Sequence, residues 1–336
     1  MQLTGYPDLL SFTRRNRTTA NIKARLDVAA QEAVTGQRAD LTEATNGRVG
    51  NAHLLSKALN DIEQSSRINA LSTTRLDMIG QGISGARNAM NGIDTRALIA
   101  INSAGTADVE TIADEAKANL RSVMSALSSK QGTRNLFSGD AVDQSPFADV
   151  DILLDDIKNI MATAGSPANI ESALDSYFDD PAGGFHTNIY TGGTDAAPPL
   201  QIGDGQKLNV DLRGDNDAIK DILRGLAVIA TAESSGNAIG TSAFTEIFSS
   251  GITAAANGTS GLISLEGNLG IASETLEKAN SRNQFEALSL NTAYQSLTGR
   301  DQFEAAAELK QLEVQLESSY IITSRLSDLS LTNYLR

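Results

Sequence analysis

LEGNLGIASETLEKANSRNQFEALSLNTAYQSL, from Leu265 to Leu297, is the stretch that decides the fold class. Alternating steps of four and three from Leu265 meet Leu269, Ala272, Leu276, Ala279, Asn283, Glu286, Leu290, Ala293 and Leu297, and eight of these ten positions are apolar. That period is the seam of a coiled coil, and one helix cannot bury it alone. After Gly299 a second stripe, Leu309, Leu312, Leu316 and Tyr320, then Ile322, Leu326 and Leu329, predicts helix to within a turn or two of Arg336.

The other end supplies a partner. Phe12, Ile22, Leu26 and Ala30 predict a first helix that stops near Thr35-Gly36, glycine being the residue that best adopts the left-handed C-cap. From about Asn51 a helix of roughly 45 to 50 residues runs through Leu55, Ala58, Ile62, Ser65, Asn69, Ser72, Leu76, Ile79, Ile83, Ala86 and Met90. Polar Ser65, Asn69 and Ser72 at mid-seam trade stability for register. A third helix, Ala107 to about Lys130, repeats the pattern at Val109, Ile112, Ala116, Leu120, Val123 and Leu127.

The middle differs in character. Residues 140–180 hold ten acids and a single base, Lys158, and residues 181–215 are rich in Gly, Pro, Asp and Thr. Strands are predicted at Phe185–Tyr190, Pro199–Ile202 and Gln206–Leu212, then a helix at Ala218–Thr231 and an irregular Gly/Ser/Thr-rich passage through residue 262. The expected fold is mainly α: an antiparallel long-helix, coiled-coil rod of paired N- and C-terminal segments with a small α+β insertion. Its expected divisions are 1–48 with 298–336, 49–139 with 218–297, and the insert 140–217.

Composition narrows function. The chain has 336 residues, 40% of them apolar, but only 4% aromatic and no Trp, so its core is thin and aliphatic. A net charge of -14 argues against nucleic acid, whose binding depends on clustered cations. No apolar run approaches the ~20 residues of a membrane span. With no cysteine there is no disulfide and no thiolate site. The first 25 residues carry five basic residues and no continuous apolar core, which does not fit a cleavable signal peptide.

Catalytic chemistry finds no pattern. His53 and His186, the only histidines, have no partners at triad or metal-ligand spacing. The acids Asp149, Asp151, Asp155 and Asp156 read as a solvated helix start rather than an acid–base pair, with Leu153, Leu154 and Ile157 as its buried side. Asp204, Asp211, Asp215 and Asp217 lack the spacing of an EF-hand loop. Gly236 to Ser242 resembles a phosphate loop but has no lysine, and reads as an ordinary loop. No catalytic, cofactor-binding or metal-binding residue is expected. The candidate functional residues are the stripes Ile22, Leu26, Leu309, Leu312, Leu316, Leu326 and Leu329, because exposed apolar stripes signal assembly.

Three local features resemble the bacterial flagellin superfamily, and within it the branch at the hook–filament junction. Val34-Thr35-Gly36-Gln37-Arg38 is similar to the STGKR segment that closes the first helix in that family. Leu136-Phe137-Ser138-Gly139, after Asn135 and before Pro146-Phe147, resembles a YLFSG…PPF turn more typical of the junction branch than of flagellin. The apolar ending, Ile322 to Arg336, resembles the family's C-terminal helix. Asp40 to Thr45 departs from the usual SDDP stretch, and Met1 to Leu10 from the usual opening.

The resemblance implies a structural subunit joining the hook-side junction protein to flagellin. Its partners would be copies of itself laterally, those two proteins, and an export chaperone before assembly. It also implies an extracellular, flagellar location reached through the type III export apparatus, and terminal segments that order on packing. A flagellin-like filament subunit stays open as the alternative, as do a coiled-coil secretion or signalling protein and an enzyme acting through the insertion.

Overall fold

A computed structural model describes residues 6–44, 49–103, 105–203 and 205–334, excepting the side chains of 6–9, 11–12, 43–44 and 326–334. It is mainly helical. The elements are α1 (Tyr6–Thr35), α2 (Leu41–Ala44), α3 (Val49–Ala89), α4 (Ile93–Ser103), α5 (Thr106–Leu127), β1 (Lys130–Gln131), β2 (Arg134–Asn135), α6 (Val150–Ala164) and α7 (Pro167–Asp179). They continue with β3 (Leu200–Ile202), β4 (Gln206–Leu208), α8 (Asp217–Thr231), α9 (Ser242–Thr298) and α10 (Gln302–Tyr334). Two compact units result: residues 1–64 with 283–336, and residues 65–282.

In the first unit α1 packs on α10. α1 stops at Gly36 (φ 66°), and α9 stops at Gly299, just before α10 begins. The two stops are tied together: Gln37 and Gly299 form an isolated antiparallel bridge. In it Arg38 N donates to Thr298 O at 2.8 Å and Arg300 N to Gly36 O at 3.0 Å.

The second unit holds the continuous core. The seam of α3 is its buried face from Ser65 through Asn69, Ser72, Leu76, Ile79, Ile83, Ala86 and Met90. The helix is shorter than expected, 41 residues, because Asn91-Gly92 breaks it with Gly92 at φ 72° before α4 begins. At the centre lies α8, twelve of whose fifteen residues are buried, packed against α5, α6 and α7.

Two expectations fail. Phe185–Tyr190 is not a strand; Phe185–Ile189 is a turn of π-helix. Phe185 and Ile189 are fully buried while Thr187, which a strand would put on their face, is exposed. The ring of Phe185 lies 5.5 Å from that of Phe178, so a local aromatic contact outweighs the alternating pattern. The passage 242–262 is not irregular either, but the first third of the 57-residue α9. Phe244, Phe248, Ala255 and Leu262 bury one face, and the glycines among them permit contact with α8. A Cβ on Gly258 would sit 2.5 Å from Ile222 Cγ1 and 2.6 Å from Ile222 N. The close approach of two backbones overrides the weak helix propensity of glycine.

The strand at Gln206 also ends early, at Leu208. It pairs with β3 in a hairpin whose register is Leu200↔Leu208, Gln201↔Lys207 and Ile202↔Gln206, with Gly205 at φ 73° in the turn. The hairpin sits on the polar part of the α3 seam: Gly203 N donates to Asn69 Oδ1 at 3.0 Å, and Ser72 Oγ to Gln201 O at 2.9 Å.

Gly258→Ala should therefore lower stability by about 1–3 kcal/mol through overpacking. Gly267→Ala, on the same helix where an added Cβ meets nothing within 4 Å, should raise it by about 0.5–1 kcal/mol. Urea unfolding of the two variants reads the difference, and equal effects would refute the close-packed account.

Candidate assembly site

The candidate site residues divide between the units. Ile22 and Leu26 on α1, with Leu309 and Leu316 on α10, are half-buried, and Leu312 is buried. The side chains of Leu326 and Leu329 lie outside the described residues. These stripes pack α1 against α10, and Ile22 lines, with Val314 and Ile322, an open groove of ≈ 460 Å³ rimmed by Arg14 and Arg15.

Polar contacts fix the α1–α10 register. Thr19 and Ser319 share a hydroxyl–hydroxyl bond of 3.0 Å. Glu308 accepts from Arg25 at 2.8 Å and from Arg300 at 2.7 Å. Arg300 also faces the buried carboxylate of Glu32 at 3.5 Å, and Glu32 accepts from the backbone of Ala39 at 2.9 Å. The hydrogen bond from Arg25, with the charge of Arg300, holds Glu308 below the usual carboxylate range. Lys23 stands 5.7 Å from the centroid of the Tyr320 ring.

Outside that pairing the first unit is apolar in an unusual way. Among the described residues seventeen large apolar side chains are exposed, and eleven lie in this unit, about a third of the chain. Phenylalanine makes the contrast sharpest. The six phenylalanines of the second unit are at most 6% exposed, whereas Phe285 and Phe303 in the first are 74% and 90% exposed. Val34, at 82%, belongs to the same set. The heptad reading missed these residues because they lie off the seam.

The turn Leu136-Phe137-Ser138-Gly139 is the opposite case, buried throughout. Its backbone is a fastening point. Phe137 O accepts from Gly214 N at 2.8 Å, Ser138 O from Gly193 N at 2.9 Å, and Ser138 Oγ donates to Gln144 O at 2.7 Å. Gly139 adopts φ 61°, and a Cβ there would lie 2.6 Å from Asp195 O. The ring of Phe137 rests on Gly82 of α3. The turn is thus a knot tying residues 193–214 to the helices, without a surface side chain.

The residues weighed for chemistry have ordinary structural partners. Asp149 caps α6, accepting from Asp151 N at 2.9 Å. Asp151 pairs with Arg121 and Asp155 with Lys158. Asp156 accepts from Tyr177 Oη at 2.8 Å and Asn188 Nδ2 at 3.0 Å; burial first, then this bond, raises the Tyr177 pKa. Asp211 and Asp215 face Arg213, and Asp217 pairs with Lys220; Asp204 lies outside the described residues. His53 is exposed, and His186 is half-buried against the ring of Phe185. Gly236 to Thr241 joins a short 3-10 turn to α9. Among the described residues no group of His, Asp and Glu could hold a metal ion, and no helix is long and apolar enough to cross a membrane.

Comparison with known proteins agrees with this architecture. Residues 252–335 match the family model of the bacterial flagellin C-terminal helical region. The crystal structure of FlgL from Bacillus cereus is similar, with a TM-score of 0.52 and 16% identity over 72% of this chain and 98% of that one. A protein of Vibrio parahaemolyticus described as a flagellar hook-associated protein gives 0.53 and 12% over 74% and 96%. No curated protein matches the sequence.

Two outcomes test the site. Gly139→Ala should destabilise the second unit by about 2 kcal/mol or more, through strain at positive φ added to the clash, as measured by urea unfolding. The second concerns acid. A carboxylate whose pKa is lower folded than unfolded stabilises above its unfolded pKa, and that contribution disappears as pH falls through the folded value. Lowering pH from about 6 to about 3 should therefore lower the hydrogen-exchange protection of α1 and α10 relative to the intrinsic exchange rate at each pH, and Glu308→Gln should start less protected and respond less. The fold is similar to that of the two hook-associated proteins, and residues 252–335 match the C-terminal helical region of bacterial flagellin.

Proposed function

We propose that this chain is a non-catalytic structural subunit of the bacterial flagellum, acting as the adaptor at the hook–filament junction. The observation that carries the assembly role is the exposure of Phe285, Phe303 and Val34 on the first unit, against a second unit that buries every phenylalanine. Burying a Phe side chain is worth about 1.5–3 kcal/mol, so these residues favour association strongly. Residues 1–48 with 298–336 carry assembly, through Ile22, Leu26, Leu309, Leu312, Leu316, Leu326 and Leu329 and the exposed set beside them. Residues 49–139 with 218–297 are the helical body, and 140–217 the insertion.

The flagellar setting is supported by the flagellin-type match over 252–335 and by the fold shared with two hook-associated proteins. The turn Leu136–Gly139 favours the junction over the filament, by resemblance. The partners are then further copies of the chain, the hook-side junction protein and flagellin, with an export chaperone beforehand. The location is extracellular, reached through the flagellar type III apparatus.

A strain lacking the chain should grow hooks without filaments and shed flagellin into the medium; normal filaments in that strain would remove the junction role. Phe303→Ser should leave the unfolding of the purified chain unchanged within about 0.5 kcal/mol, as for an exposed site, while motility is lost. Long filaments grown from purified protein alone would favour the filament subunit instead.

A further inference from the structure

Two arginines of the second unit share one cavity and have no carboxylate there. Arg75 on α3 and Arg134 on β2 line one small cavity of ≈ 20 Å³, walled on its other sides by Ile79, Leu136, Leu200 and Val210. Five other arginines of this unit are matched: Arg87 with Glu266, Arg96 with Glu115, Arg121 with Asp151, Arg213 with Asp215 and Arg224 with Glu171. Among the described residues neither Arg75 nor Arg134 has an ion pair, although the chain has 41 acids to 27 bases.

Arg75 is also held in place. Its Nε donates to Gln131 Oε1 at 3.0 Å, and Gln131 in turn donates to Leu71 O at 3.3 Å, which leaves the terminal nitrogens of the guanidinium uncommitted. Arginine does not shed its proton to escape a like charge. Partial burial, and then the Arg134 charge, lower the Arg75 pKa, so Arg75 feels the repulsion of its neighbour.

We propose that Arg75 and Arg134 form a receptor for a single carboxylate group. The cavity admits about one water-sized group, so one oxygen of a carboxylate enters it, and that oxygen can accept from both guanidiniums. That group neutralises the repulsion and fastens α3 to the β1–β2 hairpin. A small free carboxylate or an acidic side chain of a second copy supplies the same chemistry. The proposal stands apart from the flagellar reading and is tested on the purified chain.

The experiment follows thermal unfolding of the full chain in sodium chloride and in sodium formate at matched ionic strength. In chloride, Arg134→Gln should raise the Tm by about 1–3 °C, because it removes a repulsive charge. Formate should raise the Tm of the unaltered chain, leave Arg134→Gln unmoved, and act weakly on Arg134→Lys, which keeps the charge without the fork. Equal Tm values for the unaltered chain in the two salts, or a lower Tm for Arg134→Gln in chloride, would overturn the receptor. Sedimentation identifies the source. Self-association that formate disperses and Arg134→Gln abolishes points to a second copy, and a chain monomeric throughout points to the free anion.

Discussion

The burial of α8 is the constraint on which the second unit depends. A helix with twelve of fifteen residues inside must be met by neighbours on nearly every side, and each neighbour shows the mark of that demand. On one side α9 gives up side chains, so that the backbone at Gly258 lies where only a hydrogen fits against Ile222. On another, α7 presents Glu171, Asp175 and Asp179, successive positions of one helical face. They meet the two cations that α8 carries inward: Lys220 lies 3.3 Å from Asp179, and Arg224 lies 2.6 Å from Glu171 and 2.7 Å from Asp175. The acid-rich composition of residues 140–180 is in part the counter-charge of a buried helix. Those carboxylates remain half in solvent, so each pair contributes modestly, but leaving either cation unmatched at that depth would cost far more.

That arrangement explains which parts of the fold the sequence made legible. Seams spaced at 3.5 residues report helices whose apolar faces meet other helices, and the α3 seam from Ser65 to Ala86 and the α9 seam from Leu269 to Asn283 are buried faces. The stretch 242–262 was illegible because its helix packs on α8 where side chains are absent. Glycine and serine there signal a close approach, and local propensity reads them as a loop. Phe185–Ile189 misleads for the converse reason: two buried residues four apart satisfy a strand or a helix, and only the position of Thr187 separates them.

The polar seam of α3 shows a subtler gap. Asn69 and Ser72 read as residues that set register between helices, yet their side chains hold the backbone of the β3–β4 hairpin. A buried amide needs partners wherever it finds them. Spacing announces that such a residue requires a partner; it does not reveal that the partner comes from more than a hundred residues away. The candidate assembly residues were legible to the same limited degree. The heptad stripe finds the leucines that pair α1 with α10, but Phe285, Phe303 and Val34 are off the seam, and only their exposure distinguishes them from core.

The buried turn at 136–139 and the exposed phenylalanines divide the work between conformation and association. A partner cannot read Leu136, Phe137 or Ser138 directly, since each is inside. The turn acts by geometry: Gly139 admits the backbone of Asp195, Ser138 ties Gly193 and Gln144, and Phe137 rests on Gly82 of α3. Those contacts are intramolecular, and the second unit buries all six of its phenylalanines. The first unit does not, for its stripes are spent on the α1–α10 pairing and a further apolar set is left in water. On the proposed reading, the larger share of exposed apolar side chains in the first unit concentrates the tendency to associate where the two terminal segments meet.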